Sequence, residues 1–185
     1  MSIEPALIKH CSPTLASLKV GSLFSFHPAC WKCLSEEANA INRELEKKGL
    51  ALRIIRADDA RALCYLYRKG QLNRLLEDAD VQAFLAACGY ERFDMETVLN
   101  RLCDRLIIKP DFPHEVGLFL GYPLSDVKAF IENNGQNCLY CGPWKVYTNA
   151  CEALRQYAKF KKCADVYCRL YHGGQRSLHQ LTVAA

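Results

Sequence analysis

The sequence predicts an α+β fold: a small antiparallel or mixed sheet in the order strand, helix, strand, strand, followed by a mostly helical C-terminal part with a helix-turn-helix-like corner. Three observations predict it. Short apolar or alternating runs rich in β-branched and aromatic residues occur near 20–26 (SLFSF), at 51–57 (ALRIIRA) and at 62–68 (ALCYLYR). Between the first two lies Cys30 to Lys48, where Leu34, Ala38, Ile41 and Leu45 fall on one helical face and Gly49 follows as a stop. Beyond Gly70 the apolar spacing is helical almost to the end of the chain.

Taken in order, residues 3–11 form a short first helix or a capped lead-in, broken by Ser12 and Pro13. His27 and Pro28 end the first strand. Asp58 and Asp59 suggest a turn, so that 51–57 and 62–68 pair as an antiparallel hairpin, with the preceding helix covering the sheet. Leu72, Leu75 and Leu76 mark one helix. Val81, Phe84, Leu85 and Cys88 mark a second, closed by Gly89. Met95, Val98, Leu99, Leu102 and Leu106 mark a third, which Pro110 and Pro113 separate from the corner.

The corner runs from Phe112 to Gly135. Pro113 is tolerated in a first helical turn, and Glu115 there meets the positive end of the helix dipole. Val116, Phe119 and Leu120 form an apolar stripe, and Gly121 takes the left-handed conformation that stops the helix. Pro123 starts a second helix with Leu124, Val127, Phe130 and Ile131 on one face, ended by Asn133, Asn134 and Gly135. Small Gly117 lets the two helices approach. A DNA-reading helix carries groups that reach phosphates and base edges. This one offers a single cation, Lys128, against two acids, Asp126 and Glu132, so a structural corner is the preferred reading and nucleic-acid binding the weaker one.

After the corner, WKVY reads as a short extended segment. Asn149 with Glu152 three residues later opens a long helix. Ala153, Leu154, Tyr157, Phe160, Ala164, Tyr167, Cys168 and Tyr171 are expected on its buried side, and Gly173 and Gly174 end it. Residues 177–183 form a last short segment.

The chain has 185 residues, enough for one domain over 1–185, with 50% hydrophobic and 24% charged residues. A net charge of +4 is too mild to argue for nucleic acid by itself. There are 11 cysteines, an odd number, and MSIEPALIKH lacks the apolar run of a secretory leader. The expectation is a cytoplasmic protein whose cysteines are reduced rather than a secreted disulfide framework. No run reaches the roughly 18 apolar residues of a membrane helix, so no membrane partner is expected.

FPHEVGLFLGYP, the following DVKAFIE, and CGPWKVY together resemble a bacterial family catalogued only as domain of unknown function 3793. HCSPTLASLK, LCYLYRKGQL and SLHQLTVA extend the likeness over nearly the whole chain. Pro143 stands where the pattern has another aromatic, and CWKC at Cys30 to Cys33 lies outside it. The resemblance implies no activity and no catalytic residues.

Chemistry is therefore sought in side chains. Cys30-Trp31-Lys32-Cys33 is a Cys-x-x-Cys at the start of a helix, where the helix dipole favours the thiolate and a dithiol switch is reasonable. Cys138 and Cys141 form a second such pair in a Gly/Asn-rich loop suited to a metal knuckle. The two pairs, with His114 as a further ligand, make a candidate site for zinc or iron. Cys64, Cys88, Cys103, Cys151, Cys163 and Cys168 read as small apolar packing residues. No Gly-x-Ser-x-Gly, Walker loop, Gly-x-Gly-x-x-Gly or His-Glu-x-x-His is present. The leading expectation is a non-enzymatic binding protein that takes a transition metal. The alternatives are a nucleic-acid-binding regulator using the corner and a thiol redox protein using Cys30 and Cys33. Tyr140, Trp144, Tyr147, Tyr157 and Phe160 are read as packing residues, and Arg155, Lys159, Lys161, Lys162, Arg169 and Arg176 as a solvated cationic face.

Overall fold

A computed structural model describes residues 2–28, 30–57, 61–108 and 112–184, apart from the side chains of Trp31 and Ile108. The turn expected at Asp58 and Asp59 and the break expected at Pro110 lie outside the described residues. The architecture is α+β. The chain gathers into two compact units: unit 1 draws on residues up to Leu72 and from Phe160 onward, and unit 2 is Asn73–Lys159.

Unit 1 holds β1 (Gly21–Phe26), β2 (Leu50–Ala57) and β3 (Ala62–Arg68) in a three-stranded antiparallel sheet of order β1-β3-β2. The central strand explains its own composition. Ala62, Cys64 and Leu66 join the core on one face, while Tyr65 and Tyr67 are buried on the other, their rings stacked 5.1 Å apart. Buried on both faces, β3 reads as a continuous apolar run rather than an alternating one. Cys64 lies opposite both Phe24 and Ile54, and a bulge between Ile54 and Arg56 shifts the register of β2. Helix α1 (Ile3–Leu15) packs on β1 and β3, and α2 (Trp31–Glu46) packs on β2. Leu34, Ala38, Ile41 and Leu45 of α2 are all buried, as the helical spacing requires.

Ser12 and Pro13 do not break α1, which continues to Leu15. Proline removes one intrahelical bond near the end of a helix, where little ladder remains to be lost. The turn is held by Ala16 N–H donating to Ser12 O at 2.8 Å and Leu18 N–H donating to Pro13 O at 2.8 Å. The carbonyls left without an intrahelical donor at this end find a distant one. Buried Arg68 donates Nε–H to Thr14 O at 2.7 Å and Nη2–H to Leu15 O at 2.7 Å and to Val183 O at 2.9 Å. A cation thus caps the negative end of α1 and ties the last residues to it. Just before Val183 the chain forms α9 (Leu178–Leu181), opened by a capping box of Ser177 and Gln180, with Leu178 and Leu181 in the core.

In unit 2, α4 (Ala79–Ala87) starts at Asp78, whose carboxylate accepts from Asp80 N–H and Val81 N–H, and is followed by Gly89 at φ +87°. Helix α5 (Met95–Ile108) buries Val98, Leu99 and Leu102. The corner exists as expected, but its first arm, α6 (Val116–Phe119), is a single turn that begins after Glu115. Gly121 sits at φ +79°, and α7 (Leu124–Glu132) follows Pro123. Ile131, expected on the inner face, is 38% exposed, whereas Asp126 is buried. Asp126 Oδ1 accepts from Tyr147 N–H (2.9 Å), Thr148 N–H (3.0 Å) and the Thr148 hydroxyl (2.9 Å), which repays its burial. The extended segment WKVY supplies β5 (Lys145–Val146), which pairs with β4 (Tyr140–Cys141) as a two-stranded hairpin.

Two connecting helices, α3 (Lys69–Leu76) and α8 (Ala150–His172), carry residues of both units. The expected buried side of α8 is half-buried at most: no α8 residue is fully buried, and Leu154 is 43% exposed. Tyr167, Cys168 and Tyr171 still pack against the unit 1 core. Among the described residues no helix is long and apolar enough to cross a membrane.

Candidate functional site

The two Cys-x-x-Cys pairs stand on different local scaffolds, one in each unit. Cys30 is the N-cap of α2, just after β1, in extended backbone at φ −157°. It is joined to Cys33 as a disulfide with the Cα atoms 5.4 Å apart, and both residues are exposed. Cys33 N–H donates to Cys30 Sγ at 3.0 Å. No acidic residue occupies the first turn of α2, so the positive end of the helix acts on the sulfurs without a competing carboxylate.

Cys138 lies just before β4 and Cys141 is its last residue, with their sulfurs 3.2 Å apart. The hairpin is clamped. A Cβ on Gly142 would lie 2.6 Å from Tyr157 Cε2 and 2.9 Å from Tyr140 Cε1, so only glycine fits between these rings. The Tyr157 hydroxyl donates to Trp144 O at 3.2 Å, and Lys145 Nζ donates to Gly135 O. The Cys138 thiol is raised above its ordinary pKa, first because it shares a hydrogen bond with Cys141, while the Lys145 ammonium acts in the opposite direction. Burial, followed by the charges of Cys138, Cys141 and Asp126, raises Tyr147. The Tyr147 hydroxyl oxygen is buried with no hydrogen-bond partner.

His114 is exposed, its ring edge-on to Phe130 at 4.9 Å. Its neighbour Glu115 points inward instead of facing solvent at a helix start. The Glu115 carboxylate is 3% exposed, pairs with Arg105, and accepts from the Tyr90 hydroxyl at 3.3 Å. Arg105 also donates to Cys88 O at 3.1 Å. This is a closed ion pair that ties α5 to the corner. Among the described residues, no group of three or more His, Cys, Asp or Glu side chains is placed to hold a metal ion. The structure brings Cys30 to Cys33 and Cys138 to Cys141.

On the second arm of the corner Ser125, Lys128 and Glu132 are exposed, one cation beside one acid. Lys128 lies over the Phe84 ring, 5.9 Å from its centre, and Asp126 is turned inward. Tyr122 and Phe130 pack on Trp144 at 5.0 and 5.2 Å, and Tyr140 packs on Tyr157 at 6.3 Å, so these aromatics build the corner and the hairpin. The cations of α8 are exposed, with Lys161 and Asp165 paired at 2.9 Å one turn apart. Sequence reasoning missed Lys145 and Tyr147 beside the second pair. The Gly142-Pro143 dipeptide was the available signal, since it marks the turn that folds both back toward the cysteines.

A family model described as "Protein of unknown function (DUF3793)" matches residues 7–182. No curated protein and no solved structure matches the chain.

Proposed function

Because the chain belongs to this family of proteins of unknown function, whose description assigns no reaction, we propose a function from its side chains: thiol–disulfide exchange at Cys30 and Cys33. The observation that carries this reading is an exposed Cys-x-x-Cys disulfide at the N-cap of α2. The thiolate of a partner dithiol attacks one sulfur. The Cys30–Cys33 bond breaks, a mixed disulfide forms, and the second partner thiol releases the pair as two thiols. The partner is oxidised to its disulfide, and two electrons and two protons pass to Cys30 and Cys33. In the reduced state Cys30 is the better thiolate, because its sulfur sits at the helix N-terminus and accepts from Cys33 N–H. Cys30 is thus the attacking sulfur in the reverse direction and Cys33 the resolving one. In a reducing compartment such an exposed pair cycles rather than serving as a permanent brace.

The test is equilibration of the full chain in glutathione redox buffers, with free thiols counted by alkylation and mass spectrometry. A two-electron couple is expected, lost in both Cys30→Ser and Cys33→Ser. Cys33→Ser should accumulate a mixed disulfide through Cys30, and Cys30→Ser should not. A pair that stays oxidised below about −300 mV, as structural disulfides do, overturns the proposal. So does a Cys30 that alkylates with the pH profile of an ordinary exposed thiol.

A further inference from the structure

We propose that Cys138 and Cys141 are half of a four-thiolate zinc site, completed by the same two cysteines of a second copy of this chain. The sulfurs sit 3.2 Å apart at the head of a hairpin clamped by Tyr157. A tetrahedral zinc with Zn–S bonds of about 2.3 Å needs sulfurs roughly 3.8 Å apart, which a small side-chain rotation supplies. A linear two-coordinate ion would instead need nearly twice the bond length between them.

Two thiolates leave half of the tetrahedron open, and no third ligand stands with them among the described residues. The opening faces solvent: Cys141 is exposed, and the two residues between the cysteines, Leu139 and Tyr140, are 64% and 39% exposed. Apolar side chains at the mouth of a half-site suit a facing copy that covers them better than two water ligands do. Charge points the same way. Zinc with four thiolates carries two negative charges, and in each copy Lys145 is the cross-strand partner of Cys141. Two copies therefore bring two ammonium groups to the four sulfurs. The step balances as two chains, each with two thiols, plus one zinc ion, giving one bridged pair and four released protons.

The experiment uses the full chain kept reduced without a chelator, titrated with zinc chloride, with molar mass followed by light scattering. We expect one zinc per two chains, a doubling of mass, and return to the starting mass on adding chelator. The Cys138→Ser, Cys141→Ser double variant should lose both the bound zinc and the doubling, with an unchanged circular dichroism spectrum. The Cys30→Ser, Cys33→Ser variant should keep both, which separates this site from the exchange couple. If the first variant does not fold, cobalt substitution in the native chain counts thiolates by its charge-transfer absorption, with four per metal expected. One zinc per single chain, fewer than four thiolates per metal, no zinc bound, or doubling that survives loss of Cys138 and Cys141 would each overturn the proposal.

Discussion

Replacing Arg68 by methionine tests how unit 1 is closed. Arg68 is 2% exposed, and its guanidinium donates to three carbonyls, Thr14 O, Leu15 O and Val183 O, at 2.7, 2.7 and 2.9 Å. Hydrogen bonds to a charged group contribute roughly 1.5–3 kcal/mol each, so the gross loss is about 4.5–9 kcal/mol. Against this, methionine fills similar space and removes a buried cation, whose desolvation costs several kcal/mol. That cation is incompletely compensated, since Nη1 has no hydrogen-bond partner. The net expectation is a destabilisation of about 2–4 kcal/mol, equivalent to a fall in melting temperature of roughly 5–15 °C for a chain of this size. Urea unfolding followed by far-ultraviolet circular dichroism measures it. Arg68→Lys should recover only part of the loss, because an ammonium is a point donor that does not span three acceptors in a planar fork. An Arg68→Met chain within 1 kcal/mol of the parent would refute the reasoning and return the closure of α1 and α9 to apolar packing alone.

Two further outcomes follow from the same kind of argument. In Gly117→Ala the new Cβ would lie 2.7 Å from Trp144 Cζ2 and 2.8 Å from Val127 Cγ2. Trp144 is hemmed in by Tyr122 and Phe130, so a loss of about 1–3 kcal/mol is expected in urea unfolding; an unchanged midpoint means the corner is looser than described. The buried Cys64 thiol is pushed up to about 12 from an ordinary 9.0 by burial, so between those values the folded chain holds a proton that the unfolded chain has lost. Stability should therefore fall as pH rises from 9 toward 12, and buried Cys11, raised for the same reason, adds to the fall. Cys64→Ala should be less stable near neutrality yet show a shallower alkaline decline in melting temperature under reductant. An identical slope in both chains removes Cys64 from the explanation.

The sequence by itself determined the elements and their type, because these are set by spacing along the chain. Alternation placed β2, and short apolar runs carrying aromatic residues placed β1 and β3. The Leu34, Ala38, Ile41 and Leu45 stripe placed the inner face of α2, and Gly121 placed the corner's turn at positive φ. The two cysteine pairs were also legible, since three-residue separation is a local fact. Only the tertiary structure decided where chains of distant residues meet. Pro13 looked like a break because the residue that caps the carbonyls behind it, Arg68, is more than fifty positions away. Glu115 looked like a helix-start charge because its partner Arg105 belongs to another helix, and Ile131 looked buried because helical spacing gives a face but not the width of its cover. The long α8 looked like a core helix, yet a stripe of apolar residues reports capacity for burial, and the number of neighbours that reach it is a property of the fold. The cysteines show the same division. Their spacing is written in the sequence, and the exposed N-cap of α2 and the clamped β4–β5 hairpin, which give the two pairs different chemistry, exist only once the backbone has folded around them.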